Sequence, residues 1–455
     1  MYLNKNIFRA NDIRGIAYED LNQEVIRGLG LALGSIILKS GGEDFIVGRD
    51  GRNSSPDMHK WLTNGIRCSG CNVIDIGIVP SPVLYYATHT LSCSNGVIIT
   101  GSHNPSEYNG FKIIIDGKSL LSHEIQDIKT VIKNEEFLAG SGSIKELDIL
   151  EEYQQSIVDS ISLQRPLKIG IDCGNGAGSV HAESTFKKLG CEVSSLYCEL
   201  DGNFPNHHPD PSRPENLEDL INIVVKNKLD VGLAFDGDAD RIGVISPSGE
   251  IIYPDMQMII FAEHILKSNP NAKIVFDVKC SKLLSESISK NNGIPIMCKT
   301  GHTFIKETLR NELAILGGEM SGHIFFNDRW PGFDDGIYAA ARLLEIISEN
   351  PSSLDIFENL PSLISTPEIN LTSTDDDKFK IVESFKEIYD FPEANLIDID
   401  GVRLEFQDGW GLLRASNTSP VLVLRFEASS AEVLEDIKNK FKLVLNKIDP
   451  ELGNF

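Results

Sequence analysis

The sequence predicts an α/β protein: three similar domains of mixed, mostly parallel sheet, followed by a smaller C-terminal α+β domain. Two observations carry that expectation. An apolar strand ending in a Gly/Asp turn is written three times along the chain, each time followed by a helix-length segment and further strands. The last ninety or so residues lack that pattern and read as hairpin strands mixed with two helices. A chain of 455 residues is also too long for a single core and suggests three or four domains at ordinary domain sizes.

The repeated unit opens with "FIVGRDGR" (45–52), "LKIGIDCGNGAG" (167–178) and "AKIVFDVKCS" (272–281). A glycine and a second strand follow, at Gly70, Gly190 and Gly293. A third strand, a tight polar loop and a return strand close each unit. The three loops are "TGSHNPSEYNG" (100–110), "DGDADR" (236–241) and "GEMSGH" (318–323). Strands alternating with helices imply parallel sheets covered on both faces. Ligands of open α/β sheets gather at strand ends, so three converging domains would share one central cleft lined by these loops.

The expected boundaries are 1–147, 148–250, 251–362 and 363–455. In the last segment, strands are expected at "EINLTS", at "NLIDIDGVRLEF" with a hairpin turn at Asp400-Gly401, and at "VLVLRFEA". Helices are expected over 376–390 and 430–447, with the acidic run Asp375 to Asp377 opening the first of them.

Composition narrows the function. With 41% apolar and 24% charged residues the chain reads as soluble and globular, without a membrane span or a signal peptide, and a cytoplasmic location is expected. A net charge of −24 argues against nucleic acid as partner. The eight cysteines are scattered and are expected to be reduced and mostly buried. An anionic substrate would need a metal or a local cluster of cations.

The loops supply both. Asp236, Asp238 and Asp240 alternate with small residues, and three carboxylates so close call for a hard cation with oxygen ligands. The calcium-loop template fails, because Arg241 and Pro247 occupy its glycine and twelfth positions, so magnesium suits the triad better. A solvated acidic turn is the plain alternative. Ser102 sits in a turn where a backbone cap is as ordinary as a nucleophile. It is not in a Gly-x-Ser-x-Gly elbow, "DGKS" (116–119) is not a P-loop, and "CGNGAG" is not a dinucleotide fingerprint. In the last domain Arg414, Ser416, Asn417, Thr418 and Arg425 offer many donors suited to a phosphate dianion.

Taken in order, "FRANDIRG", "TGSHNPSEYNGFK", "DGNFPNHHPDP", "DGDADR", "DVKC", "KTGH", "GEMSGH" and "RASNTSPVLVLRFEA" resemble the α-D-phosphohexomutases, most closely the bacterial bifunctional phosphomannomutase/phosphoglucomutases, across essentially the whole chain. The resemblance implies four domains around one cleft and a phosphoryl-carrying Ser102. It implies magnesium held by that phosphate with Asp236, Asp238 and Asp240, and a hexose 1,6-bisphosphate as intermediate and activator. Arg14, His103 and Lys112 would surround the phosphoserine. Arg241, Lys279, Gly301, His302, Glu319 and Ser321 would contact substrate, with His323 as acid or base, and Arg414, Ser416, Asn417, Thr418 and Arg425 would clamp its phosphate. Hexose phosphates would be small-molecule partners, with no nucleic acid or membrane partner, and the family resemblance favours a monomer.

Three positions depart from the family pattern: Asn11 where a tyrosine is frequent, Ser106 in place of a proline, and Ala239 in place of a glycine. Ser106 is expected to leave the serine loop less stiff, and Ala239 to leave metal binding intact. An aspartyl-phosphate phosphatase with Asp236 as nucleophile and a non-catalytic sugar-phosphate sensor are the competing readings.

Overall fold

The computed structural model describes residues 4, 7–9, 12–416 and 419–455; Asn11, Asn417 and Thr418 therefore lie outside the described residues. Four sheets follow one another along the chain, and the first three share one plan. In the first, Asp44–Arg49 runs parallel between Asn72–Ile78 and Gly96–Ile99, and Tyr108–Ile115 returns antiparallel beside Gly96–Ile99. In the second, Lys168–Asp172 lies between Glu192–Leu196 and Val231–Phe235, with Ile242–Ile245 returning. In the third, Lys273–Asp277 lies between Ile294–Cys298 and Leu316–Gly318, with Ile324–Phe326 returning. The repeat legible in the sequence is thus a repeat of topology: second strand, first, third, return.

Central strands such as Val231–Phe235 and Ile242–Ile245 are buried along their whole length, as expected where helices cover both faces. The first sheet is extended by Ile13–Ile16 and Ile144–Glu146 at its edges. Between third and return strands the chain must turn tightly at the carboxyl end of the parallel set. Those turns are residues 100–107, 236–241 and 319–323, so the shared plan puts the three candidate loops at equivalent places.

The fourth sheet is antiparallel throughout. Its hairpin turns at Asp400-Gly401, where Gly401 has φ +90, and helices span Asp377–Ile388 and Ala431–Ile448. A central strand, Gly409–Ala415, joins the expected ones; its glycines and its short spacing to the preceding strand hide it from a periodicity reading. All eight cysteines are free thiols, buried except for the half-buried Cys68 and Cys198. Among the described residues no helix is long and apolar enough to cross a membrane.

Candidate active site

Ser102 is buried at the tip of the first loop in a left-handed conformation, φ +49. A buried arginine that the sequence reading passed over holds it there. The guanidinium of Arg52 donates to the carbonyls of Ser102 (2.7 Å), Asn104 (2.6 Å), Pro105 (2.6 Å) and Tyr108 (3.0 Å), while its Nε lies 3.2 Å from Asp50. Four carbonyls turned onto one cation fix the loop backbone. The Ser102 hydroxyl donates to Asp236 Oδ2 at 2.8 Å and lies 3.2 Å from Nδ1 of His103. Gly237 permits this approach, since a Cβ there would run into the Ser102 carbonyl.

Asp236, Asp238 and Asp240 are fully buried, with one oxygen of each within 4.8 Å of the others. Lys112 from the first domain donates to Oδ2 of Asp238 at 2.6 Å and to Oδ2 of Asp240. Ser81, opening the helix Ser81–Thr90, donates to Asp238 as well, and its N–H meets the Asp238 carbonyl at 3.0 Å. The Oδ1 atoms of Asp238 and Asp240 are buried without a hydrogen-bond partner. Orphaned carboxylate oxygens in a dry setting are costly, and a hard divalent cation satisfies them, so the donor set fits such an ion. Burial, together with the charges of Asp238 and Asp240, pushes the Asp236 carboxyl well above its ordinary range. Burial acts upward on Asp238 too, but the Lys112 ammonium and the Ser81 hydroxyl hold it below the ordinary value.

Arg14 reaches the same loop, donating to Asn104 Oδ1 at 2.8 Å while pairing with Asp12 at 2.6 Å. Burial, then the cations Arg241, Arg14 and Lys112, pulls His103 well below its ordinary value.

The second and third loops meet directly. Arg241 and His323 form a β-bridge, and Ile242 N–H donates to the Gly322 carbonyl at 3.2 Å. Arg241 Nε donates to His323 Nε2 at 3.0 Å. An arginine N–H only donates, so Nε2 is the acceptor and the ring proton sits on Nδ1. Nδ1 lies 2.9 Å from Asp334 Oδ2. Asp334, absent from the sequence reading, also pairs with Lys306 at 2.6 Å and has His302 at 3.8 Å. Burial lowers both His302 and Lys306, the latter against the pull of Asp334. His302 is the first residue of its helix, which Gly301 (φ +137) precedes, and stacks on His323 with ring centroids 5.3 Å apart.

In the third loop the Glu319 carboxylate accepts from Ser321 through Oε1 at 2.6 Å, and its Oε2 is buried without a partner, an acceptor suited to a hydroxyl. Lys279 pairs with Glu368 of the last domain at 2.7 Å. Arg414 donates to Asp400 at 2.9 Å, and the same carboxylate accepts the N–H of Thr300 at 3.1 Å. The stretch around Arg414 is thereby held against the third domain's loop. Arg425, on the strand paired with that of Arg414, turns its guanidinium to the Lys279 carbonyl and to Asp255 (3.3 Å), and so also joins the last two domains. Ser416 accepts from the N–H of Ser419 at 3.2 Å.

Of the expected residues, Ser102, Arg14, His103, Lys112, the three aspartates, Arg241, His302 and His323 are linked into one set of contacts. Lys279 and Arg414 reach the third and fourth domains' junction. The missed contributors Arg52, Ser81, Asp334, Lys306, Asp400 and Glu368 act across long sequence separations. Ala239 lies in the left-handed region at φ +56, inside the metal loop; an alanine there carries about 1 kcal/mol of strain. Ser106 is exposed at the loop's outer edge.

A serine hydroxyl laid against an acidic loop that could hold a metal ion, with cations at a second pole, is an arrangement suited to a phosphoryl-transfer enzyme. Four family models match in order: phosphoglucomutase/phosphomannomutase alpha/beta/alpha domain I over residues 5–139, domain II over 151–249, domain III over 253–362, and the C-terminal domain over 368–444. The chain belongs to the phosphoglucomutase/phosphomannomutase family, within the α-D-phosphohexomutase superfamily. It is 50% identical to a phosphomannomutase/phosphoglucomutase of Pseudomonas aeruginosa over 448 residues, 98% of this chain and 97% of that one. It is 46% identical to a phosphoglucomutase of Neisseria gonorrhoeae, again over 97% of each. A crystal structure of a family protein from Burkholderia thailandensis superposes with a TM-score of 0.95 at 43% identity, covering 99% of both chains. The fold is shared more distantly with an Aspergillus fumigatus N-acetylphosphoglucosamine mutase in complex with GlcNAc-6P and magnesium, at a TM-score of 0.60 and 13% identity over 98% of this chain and 96% of that one.

Proposed function

We propose that the protein interconverts hexose 6-phosphates and hexose 1-phosphates of the mannose and glucose series, by way of phospho-Ser102 and a hexose 1,6-bisphosphate. The observation that carries this reading is the 2.8 Å hydrogen bond from the Ser102 hydroxyl to Asp236 of the triad. A phosphoryl group on that oxygen would bring a dianion against three buried carboxylates, which is tolerable only with a divalent cation between them. Magnesium held by Asp236, Asp238, Asp240 and the phosphoserine would neutralise charge on the transferring oxygens. The magnesium in the fungal mutase complex supports that choice of ion.

This chain's own residues do the rest. The loop clamped by Arg52 holds Ser102 in place, and Arg14, with its buried unpartnered Nε, and Lys112 supply positive charge around it. Arg414, Ser416 and Arg425, together with Asn417 and Thr418 as the family resemblance implies, grip the phosphate that is not reacting. Lys279, Gly301, His302, Glu319 and Ser321 orient the sugar. His323 takes the proton of the attacking hydroxyl at Nε2 once Arg241 turns to the substrate, and Asp334 steadies the resulting imidazolium. In the second half of the cycle the other phosphate of the bisphosphate returns to Ser102, so one clamp must serve both ends of the sugar.

Asp236 as a phosphatase nucleophile fits poorly, because it accepts the serine's hydrogen bond and is flanked by two further carboxylates. Intact mass of active enzyme should carry one phosphate, stable to acid, and Ser102→Ala should abolish turnover of glucose 1-phosphate and mannose 1-phosphate. Normal turnover in that variant would end the proposal.

A further inference from the structure

Behind the site lies a dithiol that the reaction does not use. Cys173 follows the first strand of the second domain and is fully buried, whereas Cys198 follows the neighbouring parallel strand and is half-buried. Their sulfur atoms are 3.2 Å apart, and Cys198 Sγ also lies 3.3 Å from the Leu196 carbonyl. A disulfide needs about 2.0 Å, so closure requires a movement of roughly 1 Å.

Both segments that would move support the catalytic loops. The turn after Cys173 is tied to the segment around Cys198 through Asn175, whose N–H donates to the Tyr197 carbonyl and whose side chain donates to the Glu199 carbonyl, each at 2.8 Å. The same turn carries Ala177, whose N–H donates to the carbonyl of Gly237 at 2.8 Å. Gly176 lies so close to Gly237 that a Cβ would come within 2.7 Å of its carbonyl oxygen. Gly237 in turn abuts Ser102 and separates Asp236 from Asp238. Downstream of Cys198, Asn203 accepts from the Asn53 side chain at 2.8 Å, and the Phe204 ring lies 5.0 Å from the Arg52 guanidinium. The segment 198–204 therefore touches the supports of the metal loop and of the serine loop together.

We propose that Cys173 and Cys198 form a reversible peroxide-sensitive disulfide that slows the enzyme by displacing these two supports. The Cys198 thiolate, the more accessible of the two, attacks a peroxide oxygen and expels hydroxide, leaving a sulfenic acid. The Cys173 thiol then attacks that sulfur and expels water. In sum two thiols and one hydrogen peroxide give one disulfide and two waters. The hydrogen bond from Cys198 and burial raise the Cys173 thiol well above its ordinary value, consistent with its acting second. A small dithiol reductant reverses the step by thiol–disulfide exchange.

The test treats the phosphorylated, magnesium-loaded enzyme with hydrogen peroxide and maps its peptides without reduction. Expected are a Cys173–Cys198 cross-link with loss of two hydrogens from the intact mass, and a fall in kcat of about ten-fold or more, since a 1 Å misplacement can cost up to ~100-fold. Dithiothreitol should reverse both. Cys198→Ser and Cys198→Ala should keep the untreated rate and keep it after peroxide, while Cys191→Ser should respond like the parent. No cross-link, pairing with another cysteine, an unchanged kcat in cross-linked protein, or a peroxide sensitivity in the Cys198 variants equal to the parent's would overturn the proposal. The cross-link is read independently of the mutase assignment, so a failure of one is distinguishable from a failure of the other.

Discussion

The two poles of the site solve opposite electrostatic problems. Between the first and second domains, carboxylates are in excess: Lys112 and Ser81 satisfy part of the triad and leave two buried oxygens without partners. Between the third and fourth domains each cation is already matched, Lys279 by Glu368, Arg414 by Asp400 and Arg425 by Asp255. On the proposed reading, a cation and a phosphoryl group complete the first pole. The second is matched without substrate, so a phosphate bound as proposed would draw the arginine and lysine from existing partners. The difference suits a mutase, which must hold the transferring phosphoryl group tightly and fixedly, yet release and re-grip the other end of the sugar.

The largest break in this comparison comes from the incomplete pole. Asp238→Asn removes a ligand charge and one of the two carboxylates that pair Lys112. The rate should fall by about 100- to 1000-fold, comparable to losing one preorganised electrostatic group. The magnesium titration should shift to higher concentration with it; an unchanged titration would mean that the triad does not hold the ion.

At the matched pole the same kind of change should be felt in binding. Arg414→Ala deletes a charged donor worth about 1.5 to 3 kcal/mol, which is roughly a ten- to 150-fold rise in KM for glucose 1-phosphate. Phosphorylation of Ser102, followed by intact mass, should persist. A loss of phosphoserine with unchanged KM would reverse the roles assigned to the two poles.

A smaller and more diagnostic effect is expected behind Ser102. Arg52→Lys keeps a charge near Asp50 but cannot reach four carbonyls with one planar fork. The expected result is a kcat about ten-fold lower at nearly constant KM, with a lower melting temperature, because truncating a buried charged partner is costly. If kcat holds while stability falls, the arginine serves the fold alone.

How much of this was legible in the sequence depended on the kind of signal. The strand–turn unit at 45–52, 167–178 and 272–281 carried the topology, and topology put the three loops in equivalent places. Ser102, the aspartates and "GEMSGH" stood out because their chemistry sits in a few consecutive residues. Arg52 was in view inside "FIVGRDGR" but read only as a strand end, since nothing local shows that its fork spans loop residues 50 to 56 positions away. Asp334 in "WPGFDDG" was hidden for the same reason: its partners Lys306 and His323 are assembled by packing. Arg425 was in view as a donor, but its contact with Asp255, 170 positions away, is likewise set by packing.

The smallest expected effect concerns the residue that seemed to weaken the serine loop. A proline at position 106 would stiffen a chain that is otherwise free, and its absence would matter if nothing else fixed the backbone. Here the carbonyls on either side, of Pro105 and Tyr108, are already held by Arg52 at 2.6 and 3.0 Å, and the Ser102 and Asn104 carbonyls by its other nitrogen. Ser106 itself is exposed, where substitutions usually stay within about 0.5 kcal/mol. Ser106→Pro should therefore leave kcat within about two-fold and the melting temperature nearly unchanged. Combined with Arg52→Lys it should matter more, because a proline supplies rigidity only where the arginine no longer does. A double-mutant cycle in kcat measures that coupling, and strict additivity would show that the clamp and the loop's own stiffness act on different steps.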